Sequence, residues 1–174
     1  MDSQVCEIAR LYAEAFRYPG PGHLVKLEAG LAYLLPESED HYLAAFLDRV
    51  RRLSLGEWEE LYTRTLDMNP PAAPYIGFQT WGESYQRGEF LALMSREIAA
   101  YGIDLDGELP DHLVPVLRYL AEVNTPSPGL QEVFAPAIRR MIAALKKVDS
   151  ENPYLYLFNG LLALSRRWAV KEAE

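Results

Sequence analysis

The sequence predicts an all-α protein, a single-domain helical bundle, and two observations lead to this prediction. Apolar residues recur at three- and four-residue spacing along nearly the whole chain, as in helices that bury one face. No segment shows the sustained alternation between hairpin turns that is typical of half-buried strands. The chain has 174 residues, of which 49% are hydrophobic, and this is enough for one core. We therefore expect one helical domain over residues 1–174.

Eight apolar stripes predict eight helices in chain order. The stripes run over the following ranges: Val5–Ala15, Leu24–Leu34, Leu43–Leu53, Trp58–Thr65, Phe90–Tyr101, Leu113–Leu120, Phe134–Val148 and Tyr154–Leu162. Ser54, followed by Glu57, has the spacing of a capping box, and Ser38 is a candidate cap for the third helix. Pro110 suits the first turn of the sixth helix.

Proline and glycine fall mainly between the stripes, as expected for short connections between helices. Pro136 is the exception, because it lies within a stripe and predicts a kink or a new helix start. The longest irregular stretch runs from Asn69 to Trp81 and contains three prolines. Loops of this length in compact domains are often functional.

Composition and charge exclude several classes of protein. The net charge is −8 and no basic run exceeds two residues, which argues against nucleic-acid binding and favours a basic partner. The N-terminus lacks the pattern of a signal peptide. The longest apolar-rich stretch, Tyr154–Leu164, is too short to cross a bilayer. We therefore expect a cytoplasmic protein without membrane insertion.

The sequence offers no recognisable catalytic or metal-binding motif. Its three histidines, His23, His41 and His112, and its single cysteine, Cys6, do not have the spacing of a metal site. No phosphate-binding loop is present, and Ser84 lacks the second glycine of a nucleophile elbow. We therefore expect no catalytic residue, no metal and no cofactor.

An acidic cluster precedes the sixth stripe and consists of Asp104, Asp106, Glu108 and Asp111. Carboxylates at a helix N-terminus can simply cap amides and stabilise the helix dipole. Alternatively, they can form charge-assisted bonds to a partner's guanidinium groups. The neighbouring His112 likewise suits either a structural role or hydrogen bonding to a partner.

Aromatic residues crowd the other irregular stretch, namely Tyr75, Phe78, Trp81 and Tyr85. They can anchor this stretch to the core, or they can line a groove for the apolar side chains of a peptide, since Trp and Tyr dominate such contacts. Both interpretations are open at this point.

Three segments carry a family resemblance: residues 74–88, Tyr101–Gly102, and the Glu-x-Pro-Asp-His-Leu run at 108–113. Together they resemble the TorD/DmsD/NarJ family of redox-enzyme maturation chaperones, over about residues 58–123. The Gly-Glu…Arg-Gly residues at 82–88 are similar to the nitrate reductase delta branch.

The resemblance implies a TorD-like all-α domain, with a homodimer as one form. It implies a chaperone that binds the N-terminal leader of the catalytic subunit of a molybdopterin oxidoreductase, often a twin-arginine signal. Such a chaperone assists cofactor insertion and delays export or membrane docking. The alternatives are a helical adaptor without leader specificity, which would co-purify with no oxidoreductase subunit, and a nucleotide-binding hydrolase.

Carried over by motif, the resemblance implies a site for the partner peptide. Glu108 and Asp111 are expected to face its basic residues, and His112 to form a hydrogen bond. The aromatic side chains are expected to receive its apolar residues. The complete set is Tyr75, Phe78, Trp81, Glu108, Pro110, Asp111 and His112.

Overall fold

The computed structural model describes residues 3–34 and 41–169, with the side chains of 168 and 169 left aside. Over these ranges it contains nine α-helices, one π-helical turn, one 3-10 turn and no strand, which confirms the all-α prediction. The α-helices are α1 (Ser3–Ala15), α2 (His23–Leu34), α3 (His41–Val50), α4 (Leu55–Tyr62), α5 (Ile76–Trp81), α6 (Tyr85–Ala100), α7 (Leu113–Glu122), α8 (Pro128–Val148) and α9 (Tyr154–Ala169).

Each of the eight apolar stripes coincides with an α-helix, although three of them extend past its end, to Leu53, Thr65 and Tyr101, and α5 is the additional helix. The capping box is confirmed: the backbone N–H of Glu57 donates to Ser54 Oγ at 3.3 Å, and the Ser54 N–H donates to Glu57 Oε2 at 2.7 Å. These bonds satisfy amide groups that the first turn of α4 leaves free. The candidate cap Ser38 lies outside the described residues.

The stretch from Asn69 to Trp81 is more regular than the sequence indicates. It holds a 3-10 turn at Pro70–Ala72 and then α5, and it follows a π-helical turn at Thr63–Asp67 that extends α4. The prediction of one long irregular loop is therefore wrong. Short helices of this kind give too few apolar repeats to be recognised from periodicity.

Two proline-based predictions are also corrected. Pro110 precedes the first turn of α7 rather than occupying it, because the side chain of His112 caps a helix that begins at Leu113. Helix α8 continues through Pro136, so the expectation of a new helix start there is wrong.

One hydrophobic core joins the helices. Helix α1 lies at its centre and packs against α7, α2 and α9, while α3 also packs against α9. Buried aromatic rings fill the region between α1, α3 and α9. The ring centres of Phe16 and Phe158 are 5.3 Å apart, and those of Phe46 and Tyr154 are 5.1 Å apart. Within the described ranges, no helix has both the length and the apolar character that a bilayer crossing requires.

Helix α8 positions the segment formed by residues 70–81. Its buried face packs against α9 on one side and against α5 and the 3-10 turn on the other. Residues 70–81 therefore lie across a long, rigid helix, which fixes where the aromatic side chains of this stretch emerge.

The contact between α1 and α9 depends on a glycine. A Cβ at Gly160 would lie 1.8 Å from the hydroxyl oxygen of Tyr12, which is fully buried. We expect Gly160→Ala to lower the free energy of unfolding by about 3 kcal/mol, because a packed core resists added atoms. Denaturant titration measures this change.

Gly88→Ala on α6 is the matched control, because a Cβ there meets no atom within 4 Å. This substitution should stabilise the protein by about 0.5–1 kcal/mol, since alanine favours helix interiors. Equal unfolding midpoints for Gly160→Ala and the unmodified protein would contradict the packing of α1 on α9.

Candidate functional site

Two distant segments meet at a single antiparallel bridge between Tyr75 and His112. The backbone N–H of Ile76 donates to the carbonyl oxygen of Asp111 at 2.8 Å, and that of Leu113 donates to Pro74 at 2.9 Å. The Pro-Tyr and Pro-Asp-His segments singled out in the sequence are therefore joined backbone to backbone. Side chains from both segments then share one region of the molecule.

A buried ion pair lies beneath this junction. The Asp111 side chain is fully buried, and its two oxygens accept from Arg87, Oδ2 from Nε at 3.0 Å and Oδ1 from Nη2 at 3.4 Å. Arg87 also donates from Nη1 to Glu83 at 2.6 Å. Burial disfavours the guanidinium cation, but the hydrogen bond and charge of Asp111 outweigh it, and the pKa of Arg87 is raised. The carboxylate of Asp111 is thus neutralised within the chain.

Helix α5 covers the ion pair. The guanidinium carbon of Arg87 lies 5.8 Å from the ring centre of Tyr75 and 5.4 Å from that of Phe78, both within cation–π range. A Cβ at Gly77 would lie 2.8 Å from Asp111 Oδ2 and 3.0 Å from a ring carbon of Phe90. Glycine at this position therefore allows the close approach of α5 to the pair.

His112 caps α7. Its Nδ1 accepts from the backbone N–H of Val114 at 3.2 Å, so the neutral ring carries its proton on Nε2. The ring is buried and meets Tyr75 edge-on, with 5.0 Å between ring centres. Burial lowers the pKa of His112 to about 4, although the negative charge of Asp111 acts in the opposite direction. The cap and the neutral imidazole therefore support each other.

Apart from Glu83, which is paired with Arg87, the accessible negative charge at this junction lies on Glu108 and Asp67. The Tyr75 hydroxyl donates to Glu108 Oε2 at 3.1 Å, and burial together with the Glu108 charge raises the pKa of Tyr75 to about 12. Burial and the same Glu108 charge also raise the pKa of Asp67. These two carboxylates lie near enough to repel each other, and a cation between them would relieve that repulsion.

The acidic cluster seen in the sequence is divided in the structure. Arg118 donates to Asp106 Oδ2 at 2.6 Å and to the backbone oxygen of Asp104 at 3.0 Å. Asp104 and Asp106 are therefore engaged with α7 through Arg118, whereas Glu108 belongs to the junction with Tyr75. The cluster does not form one surface.

The remaining candidates are partly exposed around the ion pair. Phe78 and Trp81 lie three residues apart on α5, and the Trp81 ring packs 5.3 Å from Phe90. Pro110 is also partly exposed. We call the following five side chains the aromatic–acidic surface: Tyr75, Phe78, Trp81, Glu108 and Pro110.

The expected positions of Asp111 and His112 need correction. The sequence suggested that both face a partner, but both are buried, because Arg87 neutralises Asp111 and the cap engages His112. Arg87 was not among the site residues predicted from the sequence. A signal was present, since Arg87 precedes Phe90 and Met94 at helical spacing on the buried face of α6. A lone cation on such a face indicates a buried anionic partner.

In the part of the chain that the structure describes, no group of three or more His, Cys, Asp or Glu side chains is arranged to hold a metal ion. The junction therefore brings together aromatic rings, an internally neutralised ion pair and two accessible carboxylates. Such an arrangement can bind a peptide that carries both positive charge and apolar side chains.

Comparison with known proteins identifies the family. The family described as nitrate reductase delta subunit matches residues 32–158, which include the whole junction. The chain belongs to this family, and the resemblance found in the sequence is confirmed at that level.

Two relatives carry the name nitrate reductase molybdenum cofactor assembly chaperone NarJ, one from Escherichia coli (strain K12) and one from Escherichia coli O157:H7. Each is 28% identical to this chain over 134 residues. The aligned region covers 75% of this chain and 56% of each relative, so the chain spans just over half the length of these curated relatives.

The buried ion pair gives a prediction about stability. Asp111→Asn removes the charge that neutralises Arg87, and we expect it to cost about 3 kcal/mol, since breaking a buried pair leaves an uncompensated ion. Glu83→Gln removes the other partner of Arg87, but the Glu83 side chain is 79% exposed, and its loss should cost less than about 1 kcal/mol. Chemical denaturation compares the two, and equal costs would contradict the central role of Asp111.

The low pKa of His112 gives a prediction about pH. Folding lowers this pKa from the ordinary value of 6.5 to about 4, so between these values the unfolded state binds more protons. The stabilising contribution is complete above pH 6.5 and is lost as the pH falls towards 4, with a total of about 3 kcal/mol.

His112→Asn keeps a side-chain cap but cannot titrate in this range. Unfolding free energies measured between these pH values should therefore vary less for this variant than for the unmodified protein. An unaltered slope in His112→Asn would show that other groups produce it, with buried His23, whose pKa is also lowered by burial, as the first candidate.

Proposed function

We propose that this protein is a cytoplasmic assembly chaperone for the catalytic subunit of a molybdopterin oxidoreductase. It binds the N-terminal leader of the immature subunit, holds that subunit competent for cofactor insertion, and delays its export or membrane docking. On this proposal the protein acts by binding and performs no catalysis of its own.

The observation that carries the proposal is the junction of the two family segments. The bridge between Tyr75 and His112 and the pair between Arg87 and Asp111 hold the aromatic–acidic surface on a rigid support. A preorganised surface loses little conformational entropy on binding, which favours recognition of an extended leader.

The side chains of this surface have distinct roles in the proposal. Glu108, with Asp67 nearby, attracts the basic residues of the leader. Phe78, Trp81 and the ring of Tyr75 contact its apolar residues, as aromatic side chains commonly do in peptide sites. Asp111 and His112 act from below, as positioning residues rather than as direct contacts.

The family relationship supports the same proposal. The NarJ relatives are named as assembly chaperones for the molybdenum cofactor of nitrate reductase. The matched region includes every residue of the aromatic–acidic surface. A client from the molybdopterin oxidoreductases is therefore the first to test.

The test is calorimetry with a synthetic leader from the catalytic subunit of the host's own molybdopterin oxidoreductase. We expect the full chain to bind this peptide, and we expect Trp81→Ala and Glu108→Gln each to weaken binding by about tenfold through loss of an aromatic or ionic contact. Binding to the unmodified protein should also weaken with added salt, because Glu108 and Asp67 act by charge.

Glu132→Gln is the matched control. Glu132 is exposed on α8, so its substitution removes the same charge from a position outside the aromatic–acidic surface. Melting temperatures establish that each variant is folded. Unchanged affinity in both Trp81→Ala and Glu108→Gln would place the leader elsewhere, and absence of binding to the unmodified chain would refute leader recognition.

A further inference from the structure

Helix α8 carries a concentration of positive charge on a protein whose net charge is −8. Four side chains on its outer face are exposed: Arg139, Arg140, Lys146 and Lys147. The sequence from Val133 to Val148 contains no acidic residue. We call these four residues the basic stripe.

Helical geometry places the four cations in two parallel rows. Arg139 and Lys146 are seven residues apart, as are Arg140 and Lys147, so the members of each row are separated by two turns, or about 10 Å. Ala143 lies between the rows and is also exposed. Its short side chain leaves a shallow track along the helix surface, with positive charge on both sides.

The stripe gathers four cations on one helix face; among the described residues Arg64, Arg96 and Arg166 also lack an ion pair, but each of these lies on a different element. Among the described residues, none of its four members forms an ion pair. Elsewhere, cations lie within 4.0 Å of a carboxylate at Arg10, Arg17, Lys26, Arg49, Arg51, Arg52, Arg87 and Arg118.

The helix dipole accounts for only part of the stripe. Lys146 and Lys147 lie in the last turn of α8, where positive charge stabilises the helix end. Arg139 and Arg140 lie about two turns further in, beyond the reach of that effect. Their side chains therefore repel the lysines, and no residue of α8 from Val133 to Val148 carries an opposite charge.

We propose that the basic stripe is an interaction surface for a short acidic helix of a partner protein, which lies along α8 over Ala143 with its carboxylates directed to both rows. The length of the stripe favours this occupant. Arg139 to Lys147 spans about 12 Å, which matches carboxylates at three- and four-residue spacing over two to three turns of a helix.

Larger anionic partners fit less well. A nucleic-acid duplex or an anionic bilayer in contact with the stripe would extend beyond it over a protein surface with an excess of carboxylates. Long-range repulsion would oppose such contacts, whereas a short helix meets only the stripe.

The stripe and the aromatic–acidic surface have opposite charge and use different residues. Helix α8 contributes to both, since its buried face packs against α5 while its outer face carries the stripe. The proposal is therefore independent of leader binding and can be tested without an oxidoreductase.

The probe is a labelled helical peptide of about 14 residues with Glu at three- and four-residue spacing on one face, and its counterpart has Gln at the same positions. Fluorescence anisotropy with the full chain should show binding of the Glu peptide that weakens at high salt, and no binding of the Gln peptide. The quadruple variant Arg139→Gln, Arg140→Gln, Lys146→Gln, Lys147→Gln should bind the Glu peptide at least about tenfold more weakly.

A second quadruple variant controls for net charge. Arg17→Gln, Arg49→Gln, Arg51→Gln and Arg52→Gln remove the same charge from exposed, ion-paired positions, and binding should change by less than about twofold. Far-UV circular dichroism establishes that both variants are helical. The double variants at Arg139–Arg140 and Lys146–Lys147 should each lose part of the affinity.

Three outcomes would overturn the proposal. One is an equal loss of affinity in the two quadruple variants, which would indicate a general charge effect. Another is failure of the Glu peptide to bind the unmodified chain. The third is binding of phosphatidylserine vesicles or a short DNA duplex through the stripe without binding of the Glu peptide, which would assign the stripe to a different class of partner.

Discussion

The arrangement of the candidate site depends on the ion pair between Arg87 and Asp111. A buried ion pair is expensive to desolvate and is maintained only where additional hydrogen bonds and packing compensate. Here Arg87 also reaches Glu83, and the rings of Tyr75 and Phe78 lie within cation–π range of its guanidinium group. The pair thus connects the start of α6, the cover formed by α5 and the segment that leads into α7.

The ion pair also divides the site into buried residues that support the surface and exposed residues that a partner could contact. The charge and the helix cap beneath the junction are satisfied within the chain, because Arg87 pairs with Asp111 and the Nδ1 of His112 accepts from Val114. The aromatic–acidic surface above them retains partly exposed rings and a carboxylate. A surface built in this way is ordered before a partner binds, so binding loses little conformational entropy.

The sequence predicted the long amphipathic helices well and missed the short helix α5. Long amphipathic stripes predicted α1–α4 and α6–α9 because each buries one face over several turns. Helix α5 has six residues, so its presence depends on tertiary packing against α8 rather than on periodicity.

The candidate site was predictable in membership but not in exposure. Motif resemblance brought Tyr75 and the Pro-Asp-His run together, and the structure joins them directly. Whether a carboxylate is accessible to a partner depends on whether a cation within the chain already pairs with it. Asp111 is buried because it pairs with Arg87, which is distant from it in sequence. The close approach of Gly77 to Asp111 could not be predicted from the sequence either. It follows from packing between elements and leaves no periodic signal.

The long-range connection between Arg87 and Asp111 also has a kinetic meaning. The two residues are 24 positions apart, so their contact closes a loop that contains most of α6 and the residues leading to α7. Closing such a loop costs chain entropy that local helix formation does not repay, which favours late formation of this contact during folding. Opening of the same contact would release α5, the first turn of α6 and the entrance to α7 as one cooperative unit. These segments would therefore lose their order together, with no stepwise fraying of individual side chains.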